Sequence, residues 1–330
     1  MRIGIEVLKA SYGDCILISI VQDGLPYIIM IDGGTGDTYT YKNKKGKRAA
    51  GALKDKLEQL RREGKHIDLL IITHVDNDHI GGIINWFEDE IPTNSFVKCI
   101  WLNDDTEIKE EKSLDNTAGQ AASMKRTLES HAIKNVDTIV AGKVFAFDWG
   151  KIFILSPTIA QHNIIAGNIA KELNNSTSNR YGENIEDLLK EEYKGGDSSP
   201  ENNASIAFLL QMNGSENVLM LGDANITTVM NSLKSIEGVE LPLHCSWVKL
   251  SHHGSKNNFK PELLNMITAD NYIISTNGMH FGHPDKEVVA WLVGKTDSFL
   301  WFNYRERAEN IFTAKDIEQY PNLIERIKSF

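Results

Sequence analysis

The chain has 330 residues, 41% hydrophobic and 24% charged, the balance of an ordinary folded globular protein rather than a disordered or fibrous one. A formal net charge of −10 argues against a surface built as a whole to bind polyanions and leaves that task to local basic patches. Cys15, Cys99 and Cys245 stand without paired spacing, which excludes a disulfide framework and a thiolate zinc site; with no apolar leader and no run approaching about 18 apolar residues, the expectation is a cytoplasmic protein with no membrane span.

Ile3, Ile5 and Val7 alternate with other residues, and residues 15–20 and 27–31 form two β-type runs around the turn residues Asp23, Gly24 and Pro26. They predict a strand and then a hairpin. The hairpin ends in Asp32-Gly33-Gly34, where the glycines let backbone pass close to a neighbour and a carboxylate sits just beyond a strand. Asp32 is the first candidate site residue, although a plain turn aspartate would account for it taken alone. Lys42, Lys44, Lys45, Lys47 and Arg48 then crowd into a loop around Gly46, ahead of a helix predicted over about 49–62 and stopped by Gly64. A solvated loop is the simpler account. Its place just after Asp32 keeps phosphate binding open and makes Lys44 and Lys45 candidate substrate contacts.

Residues 67–73 are nearly all apolar, as in a strand buried on both faces. Next comes Thr73-His74-Val75-Asp76-Asn77-Asp78-His79-Ile80-Gly81-Gly82, which packs two histidines and two aspartates into six positions. A helix N-cap would explain one aspartate and leave the histidines incidental. As a metal site the spacing is purposeful: His74 and Asp76 project to one side of an extended strand exit, while Asp78 and His79 lie where a helix over 80–90 begins and can face a second ion. A strand over 97–102, a helix over 113–131 ending at His131, and a hairpin of 144–147 with 152–155 follow. The stretch 158–202 turns polar and is expected to be an insertion with some helix, with His162 inside it carrying no special weight.

A second hairpin, 204–212 with 218–221, ends in Gly222-Asp223-Ala224, and an apolar run over 247–250 leads into Ser251-His252-His253-Gly254-Ser255. A helix near 261–267, a strand at 272–275, a helix at 285–294, a strand at 299–302 and a polar carboxy-terminal helix complete the pattern; His283 stands between Gly282 and Pro284. A dinuclear site needs about eight ligand positions. Asp223 as a bridging carboxylate and one of His252 and His253 would join the first cluster to supply most of them.

These residues resemble the metallo-β-lactamase-fold hydrolases, and among them the hydrolase domain of the DNA-uptake competence protein ComEC. The resemblance rests on Gly13-Asp14, Asp32-Gly33-Gly34, the His74 to His79 motif with Ile80-Gly81-Gly82, Asn203-Ala204-Ser205, Gly222-Asp223-Ala224, His252 to Ser255 and Gly282-His283-Pro284. The broad superfamily has a histidine where this chain has Asp76, whereas the competence-type subset is similar to it there. The resemblance implies an α/β fold, a four-layer αββα sandwich, formed by residues 1–330 as one domain. It also implies two divalent ions held by His74, Asp76, Asp78, His79, Asp223 and His252 or His253. Asn203 stands near the place of a further superfamily histidine, so the donor set is rich in oxygen and admits manganese as well as zinc.

The function implied is hydrolysis of a phosphodiester, nucleic acid included, by water activated on the ions. Asp78, Asp32 and His283 are the catalytic candidates, with Asp32 ordering the ligands and His283, or whichever of His252 and His253 is not a ligand, donating a proton to the leaving oxygen. Asn203 and Ser255 join Lys44 and Lys45 as candidate substrate contacts. Hydrolysis of a small ester, lactone, thioester or lactam is the alternative, and a metal-binding regulatory protein without turnover is a third reading. Protein partners are not legible.

Overall fold

A computed structural model describes residues 1–103, 133–136, 138–165, 180–196, 204–214 and 216–330. The expected helix over 113–131 with His131, the parts of the polar stretch at 166–179 and 197–202, and Asn203 lie outside these residues. The described residues group into two compact units, one drawn from 1–139 and 162–169, the other from 140–161 and 170–330. Both mix strands and helices, so the α/β class expected from sequence is the class observed.

In the first unit the amino-terminal runs become β1 (Arg2–Val7), β2 (Ile16–Gln22) and β3 (Leu25–Ile31), paired antiparallel in sequence order. The basic stretch is itself a small hairpin, β4 (Thr40–Lys42) with β5 (Arg48–Ala50). Asn43 Oδ1 accepts the N–H groups of Lys45 and Lys47 at 2.9 and 3.1 Å and so holds the turn. Because β5 takes residues up to Ala50, the following helix begins at Ala52 and runs to Arg62, not from 49.

β6 (Leu69–Ile72) is buried on both faces and pairs parallel with β3 on one side and β7 (Cys99–Leu102) on the other; β8 (Lys134–Val136) closes the six-stranded order β1-β2-β3-β6-β7-β8. The helix Asn77–Asp89 starts three residues before its apolar periodicity does. With the helix Ala52–Arg62 it packs Leu53, Leu57, Ile80, Ile83, Trp86 and Phe87 into one core.

The second unit holds an eight-stranded sheet. β9 (Val144–Phe147), β10 (Gly150–Ser156), β11 (Ala207–Met212) and β12 (Asn217–Met220) meander antiparallel, and β13 (Leu243–Lys249), β14 (Ile267–Ile274), β15 (Phe299–Phe302) and β16 (Ile327–Ser329) continue parallel from β12. The helices Ile226–Ser235 and Lys286–Lys295 bury Val229, Leu233, Val288 and Leu292 with Leu219, Val248 and Phe302. The end of the chain departs from the single polar helix expected. It forms three short helices, Arg305–Glu309, Ala314–Gln319 and Leu323–Arg326, before β16. Thr313 and Asp316 start the second with a reciprocal capping box. Pro321 cannot extend it.

Candidate metal centre

The candidate residues sit where parallel strands end. Asp32 follows β3 and the His74 run follows its parallel neighbour β6; in the other unit Asp223 follows β12 and His252-His253 follows its parallel neighbour β13. Carboxyl ends of parallel strands are where a rigid sheet can hand side chains to a ligand.

Asp32 is fully buried, with its backbone in the left-handed region at φ 54°. Its Oδ1 accepts the Thr73 N–H at 2.8 Å; its Oδ2 accepts the Thr73 hydroxyl at 2.7 Å and meets His79 Nδ1 at 2.8 Å. A carboxylate can only accept, so His79 Nδ1 carries the proton. The Thr73 proton points to Asp32, so Thr73 Oγ1 accepts from His74 Nδ1, 3.0 Å away. One carboxylate thereby fixes two tautomers, leaving Nε2 of both rings as the lone-pair nitrogen that a metal requires. The rings stand 4.1 Å apart, with His74 Nε2 3.4 Å from Asp76 Oδ2 and His79 Nε2 3.9 Å from Asp78 Oδ2.

Close backbone packing sets this loop. The Gly33 N–H donates to the His79 carbonyl at 2.7 Å and the Gly82 N–H to the Gly34 carbonyl at 2.8 Å. A Cβ on Gly82 would stand 2.1 Å from the Gly33 oxygen, and one on Gly13 would stand 1.7 Å from the Asp78 oxygen. The glycines thus let the helix Asn77–Asp89 begin against the Asp32 turn on one side and the Gly13-Asp14 turn on the other. Asp76 occupies the N-cap position of that helix, yet its side chain caps nothing. The N-cap account of the aspartates therefore does not explain Asp76. Asp14, only 1% exposed, belongs here too: one donor atom each from Asp14, Asp32 and His79 lie within 4.8 Å of one another.

The second unit repeats the device. His253 Nδ1 donates to the Ser275 carbonyl at 2.8 Å. Asn258 donates its amide to the Asp223 carbonyl at 2.9 Å and turns its oxygen to His252 Nδ1 at 3.1 Å. Both Nδ1 atoms are protonated on this account, and both Nε2 atoms face Asp223 Oδ2, at 3.7 Å for His252 and 3.8 Å for His253. Either histidine therefore suits a cation bound by Asp223. The Asp223 N–H is held by Ser205 Oγ at 2.9 Å, which gives the Asn-Ala-Ser stretch at least this one task.

His283 is buried, with its ring centroid 5.3 Å from that of His252 and its Nδ1 3.6 Å from Asp285 Oδ2. Burial tends to raise the Asp285 carboxyl, but His283 and the Lys256 N–H at 2.8 Å outweigh it and hold the group below its ordinary value. Ser255 is buried and accepts the Asn257 N–H, so its hydroxyl is engaged as a cap. Lys44 and Lys45 are exposed at the turn of the β4–β5 hairpin. A cleft of about 350 Å³ beside the motif helix is lined by Tyr12, Thr35, Asp37, Asn77 and Asn85. Sequence reasoning passed over Thr73, Asn258 and Lys249. Lys249 left a signal, a lysine inside the apolar run 247–250.

The nitrogen and oxygen donors fit a borderline or hard divalent ion, and two imidazoles preset as Nδ1–H tautomers in each unit fit ligation through Nε2. No curated protein matches the chain. Similar solved structures include a diphosphatase from the PhnP family, 12% identical over 100% of this chain and 95% of that one with a TM-score of 0.42. Another is the isothiocyanate hydrolase from Delia radicum gut bacteria, 12% identical over 98% and 95% with a TM-score of 0.42. A third is the BLEG-1 B3 metallo-beta-lactamase, 12% identical over 73% and 88% with a TM-score of 0.33. Residues 13–93 match the Metallo-beta-lactamase superfamily model, and this stretch carries Asp32 and the whole motif from His74 to His79.

Proposed function

We propose that the chain is a metal-dependent hydrolase, foremost a phosphodiesterase or nuclease of the competence-type subset. The observation that carries the proposal is the tautomer control exerted by Asp32, which turns Nε2 of His74 and His79 into ligand atoms. In the first unit His74, Asp76, Asp78 and His79, and in the second Asp223, His252 and His253, would serve as ligands for zinc or manganese, two ions in all. Such ions, when bound, lower the pKa of water and offset negative charge developing on a phosphoryl group. Asp32 would keep the histidines oriented, and His283, whose ring lies beside that of His252, would carry a proton to the leaving oxygen. Lys44 and Lys45 offer charge to flanking phosphates.

Among the described residues no helix is long and apolar enough to cross a membrane. Three free thiols, two of them buried, support a reducing cytoplasm as the site of action.

The test is turnover of single-stranded DNA, RNA and a bis-phenyl phosphodiester by purified protein with manganese or zinc. Asp78→Asn is expected to lower kcat/KM by about 100-fold or more, the scale of losing a catalytic electrostatic group. Equal turnover by wild type and variant would rule out the site.

A further inference from the structure

Lys249 is the last residue of β13, in register between Met220 of β12 and Ile273 of β14, and is only 1% exposed. An ammonium in such surroundings is strongly disfavoured unless it is paired, so its retention calls for an electrostatic reason. Its Nζ donates to the Gly222 carbonyl at 3.1 Å and lies 3.7 Å from Asp223 Oδ1. The other oxygen of the same carboxylate faces the Nε2 atoms of His252 and His253. Asp223 is thus divided, one oxygen toward a fixed cation and one toward two ligand-type nitrogens.

We propose that Lys249 is a built-in counter-ion of the metal centre, a charge-setting residue that neutralises buried Asp223 when no metal is bound and weakens the cation site that Asp223 shares with the histidines. Without the ammonium, the folded apo protein would bury an uncompensated anion, which is strongly destabilising. With it, a dication arriving at Oδ2 meets a like charge a few ångströms away across the carboxylate, and the repulsion is large where solvent is excluded. The site trades affinity for a pocket that stands without its metal.

This inference rests on the metal reading of the preceding section, and the experiment separates the two. Lys249→Gln removes the charge while keeping a donor for the Gly222 carbonyl, Lys249→Met removes both and keeps the apolar stem, and Lys249→Arg keeps the charge. Zinc and manganese affinities are measured by titration against a competing chelator, alongside the melting temperature of metal-free protein. The two neutral variants are expected to bind metal about tenfold or more tightly than wild type, with a lowered metal-free melting temperature. Lys249→Arg is expected to stay close to wild type in both. Asp223→Asn added to Lys249→Met is expected to recover the lost metal-free stability, an effect that packing alone would not produce. Equal or weaker metal binding by the neutral variants overturns the counter-ion role and leaves the metal centre standing. Failure of wild type and variants alike to bind either metal overturns the metal reading itself.

Discussion

Asp32 reaches two histidines, His79 directly and His74 through Thr73. Its carboxylate can only accept, and that one-way property passes through Thr73 to His74 and directly to His79. Asp32→Asn keeps the shape and breaks the rule, because an amide presents donors to groups that must themselves donate. Metal affinity is expected to fall about 10- to 100-fold, as it does when outer partners of ligands are lost. Metal content after dialysis, read beside circular dichroism, checks it; full retention of metal would contradict the role given to Asp32. Asp32 was legible in the sequence because glycines and a strand end mark it. Thr73 and Asn258 were not, since a threonine before a histidine and an asparagine six residues after one are common, and only the fold shows which ring each will meet.

At the scale of elements, the helix Asn77–Asp89 is seated by absent side chains. An alanine at Gly82 would press its Cβ within 2.1 Å of the Gly33 oxygen, a backbone atom that cannot swing aside. Gly82→Ala is expected to destabilise the protein by roughly 1–3 kcal/mol in urea unfolding, the range for overpacking, and to reduce metal binding with it. Gly4→Ala in β1 meets nothing within 4 Å and serves as the control, with a change within about 0.5 kcal/mol.

The apolar run near 299–302 marks the strand observed at Phe299–Phe302, because a short apolar run stands out between polar neighbours. The same reasoning started the motif helix at 80, three residues late, since apolar periodicity is blind to a first turn made of Asn77, Asp78 and His79. It also missed the β4–β5 hairpin, whose alternation is written in lysines and arginine rather than in apolar residues. The helix near 261–267 proved to be a 3₁₀ segment, Pro261–Asn265, with Ile267 already in β14.

For the whole molecule, the buried Lys286–Asp316 pair contributes to the response to acid. Lys286 Nζ lies 2.6 Å from Asp316 Oδ2 and 2.6 Å from the Ile311 carbonyl, and Asp316 also accepts the Ile185 N–H at 2.7 Å and the Thr313 N–H at 2.9 Å. These bonds join the helices Ile185–Lys190, Lys286–Lys295 and Ala314–Gln319. Burial tends to raise the Asp316 carboxyl, but the Ile185 N–H, Lys286 and the Thr313 N–H prevail and hold it below its ordinary value. A depressed carboxylate contributes stability that is complete above its unfolded pKa, about 3.9, and is lost as pH falls through the lower folded value. Unfolding free energy is therefore expected to decline below about pH 4, with Asp316→Asn less stable at neutral pH and less steeply dependent on acid. Urea titrations at several pH values give the slope; an unchanged acid slope in the variant would remove Asp316 from the account.

His252 and His253 both hold left-handed backbone, at φ 46° and 56°, where side-chain-bearing residues are strained. Each carries a penalty of roughly 1–3 kcal/mol that a glycine would escape. A laboratory lineage propagated under heat alone, with no demand for metal binding, would be free to replace these histidines with glycine. Its descendants would be hardier and would lack two candidate ligands, and the neighbouring pair would be the place to look for the change.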